Sequence, residues 1–181
     1  MNIDARARRL YSDHEKVLAL LAKNHDALLL ERTGGSPPAA YWLLYRCRGI
    51  AKLAENEPVF RTTHQLELRL PSSYPLQSPS VHVNTPIFHP HVFENGDVCL
   101  GARWQVGEGL DNLLIRIGAI LRYEPVYLDF DSAANREAAK WAQQHLALFP
   151  LDPDPFAAST GPVAIPERSI SWVDTPGMNE K

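Results

Sequence analysis

The chain has 181 residues, of which 45% are hydrophobic and 22% are charged, and its formal net charge is −3. This length accommodates one domain of about 150 residues with an appended segment. No run approaches the roughly 20 apolar residues that a membrane span needs, and the slight acidity argues against a broad nucleic-acid-binding face. The N-terminus lacks the apolar core of a signal peptide, and the chain has only two cysteines, Cys47 and Cys99. We therefore expect reduced thiols and a cytoplasmic protein.

The first part of the chain predicts one helix followed by four strands. Apolar residues at intervals of three and four indicate an amphipathic helix over 3–23, with the stripe Ile3, Ala7, Leu10, His14, Val17 and Leu21. The strands are predicted at 25–33, at Tyr41 to Gly49, at Pro58 to Leu70 and around Val81 and Val83. Short connections between them favour an antiparallel meander. Cys47 falls on the apolar side of the second strand, so we interpret it as a buried structural thiol.

A loop with chemically useful side chains follows the fourth strand. It contains His89-Pro90-His91, then the turn residues Asn95-Gly96-Asp97, and then Cys99. Asn-Gly is a strong turn signal because both residues tolerate positive φ. The turn is therefore predicted to bring Cys99 beside the histidine-containing segment.

Two further helices and a tail are predicted after the loop. A clear apolar stripe predicts a helix from Leu110 to Leu121, stopped at Pro125. Ser132 is predicted to cap a second helix with the stripe Ala134, Ala138, Trp141, His145 and Leu148. The last segment, 150–181, contains six prolines and no helical stripe, which favours an extended tail that adds little to the core. Its apolar residues, Phe156 and Trp172 among them, would suit docking in a groove of a partner.

The loop around Cys99 resembles the active-site loop of ubiquitin-conjugating enzymes. That loop reads His-Pro-Asn, a short stretch with Asn-Gly, and then the catalytic cysteine followed by leucine. The matching residues here are His89, Pro90, Asn95, Gly96, Cys99 and Leu100, whereas His91 stands where the family has asparagine. Tyr74-Pro75 followed by Pro79 is similar to the Tyr-Pro-x-x-x-Pro stretch of the same enzymes, and the resemblance extends over 3–149.

The resemblance implies a fold and an activity. The fold would be α+β and UBC-like: a four-stranded antiparallel meander flanked by an N-terminal, a central and a C-terminal helix, with a conjugating domain at 1–149 and a tail at 150–181. Cys99 would receive the C-terminus of a ubiquitin-like modifier as a thioester from an activating-enzyme-like protein and pass it to a lysine of a protein substrate. No cofactor, nucleic acid or membrane is implied.

The resemblance also implies roles for His91 and Asp129. The family's asparagine is associated with stabilising the oxyanion and with ordering the loop, and the ring N–H of His91 suits either role. The alternative is that His91 only links the loop through a backbone hydrogen bond. Asp129 occupies the region where the family often carries an acidic residue, which would steer an incoming lysine ammonium and assist its deprotonation. Asp131 is interpreted instead as a favourable charge at the start of a helix.

Three departures from the family pattern indicate a divergent, bacterial branch. These are His91 in place of asparagine, a short link after Cys99 and the lack of a clear last helix. The expected context is a Bil-type anti-phage operon that carries ubiquitin-like conjugation genes, with a role in antiviral defence.

Other interpretations of the same residues remain open. A single cysteine flanked by Val98 and Leu100 is often a small buried hydrophobe. His89, His91 and Cys99 could instead bind a metal in a hydrolase, although zinc sites usually show a second close pair of ligands. The main rival is a non-catalytic module of the same fold that binds a ubiquitin-like protein or scaffolds a complex, but such modules lack the cysteine.

Overall fold

A computed structural model of the chain describes residues 4–100, 104–151 and 156. Their regular structure comprises three α-helices and six strands, with 3-10 turns at Pro125–Tyr127 and Leu146–Leu148. The helices are α1 (Ala5–Lys23), α2 (Leu110–Leu121) and α3 (Arg136–Gln144), and the strands are β1 (Leu28–Gly34), β2 (Ala40–Tyr45), β3 (Gly49–Ala54), β4 (Glu57–Arg61), β5 (His64–Arg69) and β6 (Ser80–Val83). Within the described ranges, no helix combines the length and apolarity needed to cross a membrane.

Four of the strands form one antiparallel sheet in the order β1-β2-β5-β6. Leu43 of β2 pairs with Leu66 of β5, which in turn pairs with Val83 of β6, and all three side chains are buried. Buried and exposed residues alternate along β5, as the sequence pattern predicted. The expected α+β fold with a four-stranded antiparallel sheet is confirmed.

A separate hairpin, formed by β3 and β4, lies between β2 and β5 in the chain. The strands predicted at Tyr41 to Gly49 and Pro58 to Leu70 are therefore wrong in extent, because each stretch covers parts of two strands. Glu55 and Asn56 form the turn of the hairpin with φ values of 51° and 69°. Positive φ at both central residues matches the type I′ turns of tight hairpins, and without glycine this turn gives a weak sequence signal. Cys47 lies in the β2–β3 connection rather than within a strand, but it is buried as predicted.

Helix α1 packs on the sheet through a face that includes a carboxylate. Its buried residues are Leu10, Asp13, Val17 and Leu20. The predicted stripe is correct at Leu10 and Val17, but Asp13 is fully buried where the pattern placed His14, which is only half-buried. Ile3 of the predicted stripe lies outside the described residues.

The buried Asp13 has several hydrogen-bond partners, which explains how a carboxylate is tolerated there. The guanidinium of Arg9 forms an ion pair with it, the hydroxyl of Tyr74 donates to it, and the backbone N–H of Leu110 donates over 3.4 Å. Arg9 also donates to carbonyl oxygens within the 106–108 segment. These bonds connect α1 to the loop that precedes α2.

Helix α2 is buried along most of its length and packs in the same apolar core as the sheet. It begins at Leu110 and ends at Leu121, so the prediction of a helix that stops before Pro125 is confirmed. The Tyr45 hydroxyl donates to the carbonyl oxygen of Leu114 over 2.9 Å, which fixes the helix to β2.

Helix α3 begins later than predicted, because Asn135 rather than Ser132 caps it. The Asn135 side-chain oxygen accepts a hydrogen bond of 2.9 Å from the N–H of Ala138. Further along the helix, the indole N–H of Trp141 donates to the carbonyl oxygen of Asn56 in the β3–β4 turn. This helix therefore closes a second apolar cluster that includes Ile50, Tyr123, Trp141, Ala142 and Phe149.

Part of the predicted tail belongs to the core. Phe156 is fully buried, and its ring meets that of Tyr45 edge-on at a centroid distance of 6.3 Å. Gly118 of α2 makes room for it, since a Cβ at that position would lie 2.6 Å from the Phe156 ring. The expectation that the tail adds little to the core is wrong at Phe156. Residues 152–155 and 157–181 lie outside the described residues, and the domain boundary after 149 stays a prediction.

Candidate active site

The turn formed by residues 88–91 is fixed by hydrogen bonds on both sides. The N–H of Phe88 donates to the carbonyl oxygen of Ile50 over 2.8 Å, and the hydroxyl of Tyr123 donates to the Phe88 carbonyl. Inside the turn, Nδ1 of His89 accepts a hydrogen bond of 3.0 Å from the N–H of His91. This bond gives His89 a structural role within the turn.

His89 is held as a neutral ring. Its side chain is fully buried, and burial lowers its pKa well below the ordinary histidine value. The neighbouring His91 lowers the pKa further, and the nearby carbonyl of Ile120 opposes the shift. With Nδ1 acting as an acceptor, the ring proton resides on Nε2. The Tyr123 ring packs edge-on against His89 at a centroid distance of 4.4 Å.

The turn predicted at Asn95-Gly96-Asp97 is present. The side-chain oxygen of Asn95 accepts from the N–H of Asp97 over 3.0 Å, and the N–H of Phe93 donates to the Asp97 carbonyl over 2.9 Å. Gly96 has a φ of 95°, and a Cβ there would lie 2.6 Å from the carbonyl oxygen of Val83. Glycine is therefore required both for the backbone conformation and for the close approach to β6.

Cys99 follows this turn and lies beside the histidine-containing segment. An isolated β-bridge joins Val92 and Val98, and the N–H of Cys99 donates to the carbonyl oxygen of His91 over 2.8 Å. The thiol of Cys99 is unpaired with any other cysteine and the residue is partly exposed, whereas Cys47 is buried. Of the two cysteines, Cys99 is therefore the more accessible to solvent.

The ring of His91 connects two loops. The residue is 7% exposed, and its Nε2 accepts a hydrogen bond of 2.8 Å from the N–H of Asp129. An accepting Nε2 carries no proton, so a neutral His91 has its ring N–H at Nδ1. The observed bond favours the interpretation that His91 orders the loop, and a donor role toward an oxyanion would have to use Nδ1.

Asp129 is an exposed carboxylate at the start of a tight turn. It accepts hydrogen bonds from the Ser132 hydroxyl over 2.7 Å and from the N–H groups of Asp131 and Ser132 over 3.1 and 3.3 Å. The Ser132 hydroxyl contributes most to lowering the pKa of this carboxyl below its usual value. Asp129 is therefore a persistent negative charge and a weak base, which suits attraction of a cation better than removal of a proton.

Comparison with known proteins identifies the fold and its family. Residues 52–150, which are more than half of the chain, match the family described as ubiquitin-conjugating enzyme. The chain belongs to the ubiquitin-conjugating enzyme family. Cys99, His91 and Asp129 all lie within the matched range.

Individual ubiquitin-conjugating enzymes show the same relationship. The chain is 32% identical over 90 residues to ubiquitin-conjugating enzyme E2 N of Macaca fascicularis, a match that covers 48% of this chain and 57% of the relative. It is 38% identical over 58 residues to ubiquitin-conjugating enzyme E2 pex4 of Dictyostelium discoideum, covering 32% and 39% of the two chains. It is 33% identical over 79 residues to ubiquitin-conjugating enzyme E2 S of Branchiostoma floridae, covering 42% and 35%. The chain thus spans less than two thirds of the length of each of these relatives.

Two residues that support the site of this ubiquitin-conjugating enzyme family member were missed by sequence reasoning. The N–H of Asn135 donates to the carbonyl oxygen of Pro90 over 3.0 Å, which ties the start of α3 to the turn. Tyr123 adopts a φ of 61° directly after α2 and contacts both Phe88 and His89. Tyr123 belongs to no motif. Only the strong capping preference of Asn135 offered a signal.

The geometry disfavours a metal site at His89, His91 and Cys99. Among the described residues, no three histidine, cysteine or acidic side chains are grouped as a metal ion would require. The Nδ1 of His89 and the Nε2 of His91 each accept a backbone hydrogen bond, so these two lone pairs are directed at the protein itself.

Proposed function

We propose that this family member transfers a ubiquitin-like modifier through Cys99. The cysteine accepts the modifier's C-terminus as a thioester from an activating-enzyme-like protein and passes it to a lysine of a protein substrate. The observation that carries the proposal is the partly exposed Cys99 whose backbone N–H bonds to the His91 carbonyl, so the thiol lies beside a fixed turn. Membership in the ubiquitin-conjugating enzyme family supports the same chemistry.

Both steps are exchanges at one carbonyl carbon. In the first, the Cys99 sulfur attacks the thioester carried by the activating enzyme; a new C–S bond forms, the old C–S bond breaks, and the departing thiolate takes up the proton lost by Cys99. In the second, the lysine ammonium first loses one proton to water, and the neutral amine then attacks; a C–N bond forms, the bond to Cys99 breaks, and the second proton lost by nitrogen restores the thiol. Since a thioester is already activated, a positioned thiol suffices as the nucleophile.

His91 and Asp129 have supporting roles in this proposal. His91 is a positioning residue, because its backbone contacts His89 and Cys99 while its ring contacts the Asp129 N–H. A donor role of Nδ1 toward the oxyanion is the alternative, and the variants described in the Discussion separate the two. Asp129, kept charged by its bonds to Ser132, attracts the ammonium group of the acceptor lysine.

The test uses ubiquitin with a C-terminal mercaptoethanesulfonate thioester, which bypasses the activating enzyme. Wild-type protein should form an adduct with ubiquitin that dithiothreitol reverses. Cys99→Ala should abolish the adduct, whereas Cys47→Ala, which changes the buried thiol, should leave it. A second arm with ubiquitin, an activating enzyme and ATP tests acceptance from an enzyme. An adduct of equal yield in Cys99→Ala protein would refute the assignment.

The finer placement of the protein is also a proposal. The departure at His91 supports a divergent, bacterial branch and a Bil-type anti-phage operon. Neither Cys47 nor Cys99, the proposed nucleophile, is joined in a disulfide, which suits a reducing compartment, so we assign the protein to the cytoplasm. Neighbouring genes for an activating enzyme and a modifier ending in glycine are the expected context, and their absence from the locus contradicts it.

A further inference from the structure

An open cleft of about 550 Å³ lies between the 130–133 segment and α3. Its lining on the helix side includes Arg136, Lys140 and Gln143, all of which are exposed. Arg136 and Lys140 are four residues apart and so lie on the same face of α3. Within the described part of the chain, neither cation forms an ion pair or a side-chain hydrogen bond, although Asp131 lines the same cleft.

The segments on both sides of the cleft are hydrogen-bonded to the turn beside Cys99. On the helix side, the N–H of Asn135 donates to the carbonyl oxygen of Pro90 over 3.0 Å. On the loop side, the N–H of Asp129 donates to Nε2 of His91 over 2.8 Å. The cleft therefore has a fixed position relative to the proposed nucleophile.

The surface between His91 and α3 carries both negative and positive side chains. Asp129, whose N–H bonds to His91, and Asp131, which lines the cleft, are anions, and the cations of Arg136 and Lys140 follow on α3. Ser132 lines the cleft and donates its hydroxyl hydrogen to the Asp129 carboxylate, which links the cleft to Asp129. A segment that carries an ammonium group near a carboxylate complements these charges.

We propose that the cleft selects the acceptor lysine, with Arg136 and Lys140 binding an acidic side chain that lies near that lysine in the substrate protein. This inference rests on the proposed function, because it assigns the substrate class of the same site. Exposed ion pairs contribute little individually, so two cations acting together should change the transfer rate by about 3- to 10-fold. The preference is electrostatic and should therefore decline as the salt concentration rises.

The experiment measures discharge of the Cys99 thioester onto peptides that contain one lysine. In one series a single glutamate is moved stepwise relative to the lysine, and each peptide has a partner with glutamine at the same place. The wild-type protein should favour at least one glutamate peptide over its glutamine partner by about 3- to 10-fold. In the Arg136→Gln/Lys140→Gln variant this ratio should fall to about 1.

A matched control is Lys23→Gln, which removes one exposed positive charge from the last turn of α1. It should keep the ratio of the wild-type protein. Charge reversal, Arg136→Glu/Lys140→Glu, should transfer the preference to peptides with arginine in place of glutamate. A ratio near 1 in wild-type protein, or a ratio that persists in the double variant, overturns the proposal. If the double variant instead slows formation of the Cys99 thioester, the face binds the modifier and the proposal is again overturned.

Binding without transfer separates this inference from the proposed function. Isotope-labelled full-length protein is titrated with the preferred glutamate peptide, and the backbone amide signals of Arg136 and Lys140 are followed. Signal shifts that the glutamate peptide produces and the glutamine peptide does not would support binding of the acidic side chain in the cleft, even if no thioester forms on Cys99. A charged Cys99 that discharges onto all peptides equally, without such shifts, rejects the cleft and leaves the transfer activity intact.

Discussion

The backbone N–H of Cys99 donates a hydrogen bond of 2.8 Å to the carbonyl oxygen of His91. The same histidine uses its own N–H to bond to His89 and its ring to accept from Asp129. One residue therefore contacts the buried turn, the proposed nucleophile and the acidic loop. A substitution at this position is therefore expected to alter the geometry of all three segments.

Replacement of His91 should slow transfer from the Cys99 thioester to lysine. His91→Ala removes the acceptor of the Asp129 N–H, and we expect a loss of about 10-fold if the ring only positions the loops and about 100-fold or more if Nδ1 stabilises the oxyanion. His91→Asn places the family's residue there and should recover part of the rate.

Hydrogen exchange distinguishes the two roles of His91. If the ring is a positioning group, the amide of Asp129 should exchange faster in His91→Ala than in wild-type protein, together with the loss in rate. A large loss in rate with unchanged protection of Asp129 assigns the donor role instead. Transfer at the wild-type rate rejects both.

Replacement of Asp13 should destabilise the fold. Asp13→Ala leaves Arg9, the Tyr74 hydroxyl and the Leu110 N–H without their shared acceptor. Breaking a buried ion pair costs about 3 to 5 kcal/mol, and we expect the lower end because Arg9 remains partly exposed. Urea denaturation measures the change, with Glu15→Ala on the exposed face of α1 as the control. A change below about 0.5 kcal/mol, as for ordinary surface residues, would contradict this account.

The sequence predicted the elements whose signal is local. The apolar stripe of α2 and the alternation along β5 each reflect a single periodic face, and both predictions are confirmed. The Asn95-Gly96 turn was predictable because Gly96 satisfies a conformation that other residues resist.

The errors arose where a tertiary contact overrides the local pattern. Asp13 is polar, and its burial depends on Arg9 and Tyr74, which no periodicity reveals. Phe156 follows a proline-rich stretch that has the composition of a tail, yet its ring fills the space above Gly118. At the candidate site, the cysteine and its turn were predictable from the motif, whereas the bond between His91 and Asp129 joins residues 38 positions apart.

Stability should decrease on acidification because of a buried histidine. Burial, with a smaller contribution from the charge of Arg61, lowers the pKa of His64 to about 4, and the Cys47 carbonyl partly opposes this. Between pH 6.5 and 4 the unfolded chain therefore binds a proton at His64 that the folded chain does not. The contribution of neutral His64 to the free energy of unfolding is fully present above pH 6.5 and is lost as the pH falls. The limiting slope of the free energy of unfolding is about 1.4 kcal/mol per pH unit.

Urea denaturation at a series of pH values measures this slope. His64→Gln should reduce the slope by the amount that corresponds to about one bound proton. His25→Gln, at an exposed histidine, should leave the slope unchanged. The buried His89 contributes in the same direction, so a residual slope is expected in the His64 variant. Identical slopes for wild-type and His64→Gln proteins would show that His64 is protonated equally in both states.

Removal of Phe156 should lower the melting temperature, although the chain around it has the composition of a tail. Phe156 is fully buried against Tyr45 and Gly118, and loss of a buried phenylalanine side chain costs about 3 to 5 kcal/mol. For a chain of this size, that corresponds to roughly 6 to 20 °C. A chain ending at Asp152 should show this decrease, whereas one ending at Ala158 should melt like the full chain. Phe156→Ala in the full chain should reproduce the effect, since it removes the ring alone.

Two further variants make the comparison specific to that ring. Gly118→Ala adds a methyl group where the Phe156 ring now lies, so it should also lower the melting temperature. Phe93→Ala removes an exposed phenylalanine and should leave the melting temperature within about 2 °C, as for ordinary surface changes. If the chain ending at Asp152 melts like the full chain, Phe156 does not contribute to the core in solution. A further outcome is that the chain ending at Ala158 keeps the melting temperature but forms the Cys99 thioester more slowly than the full chain. That result would support the prediction that the tail, here residues 159–181, docks on a partner.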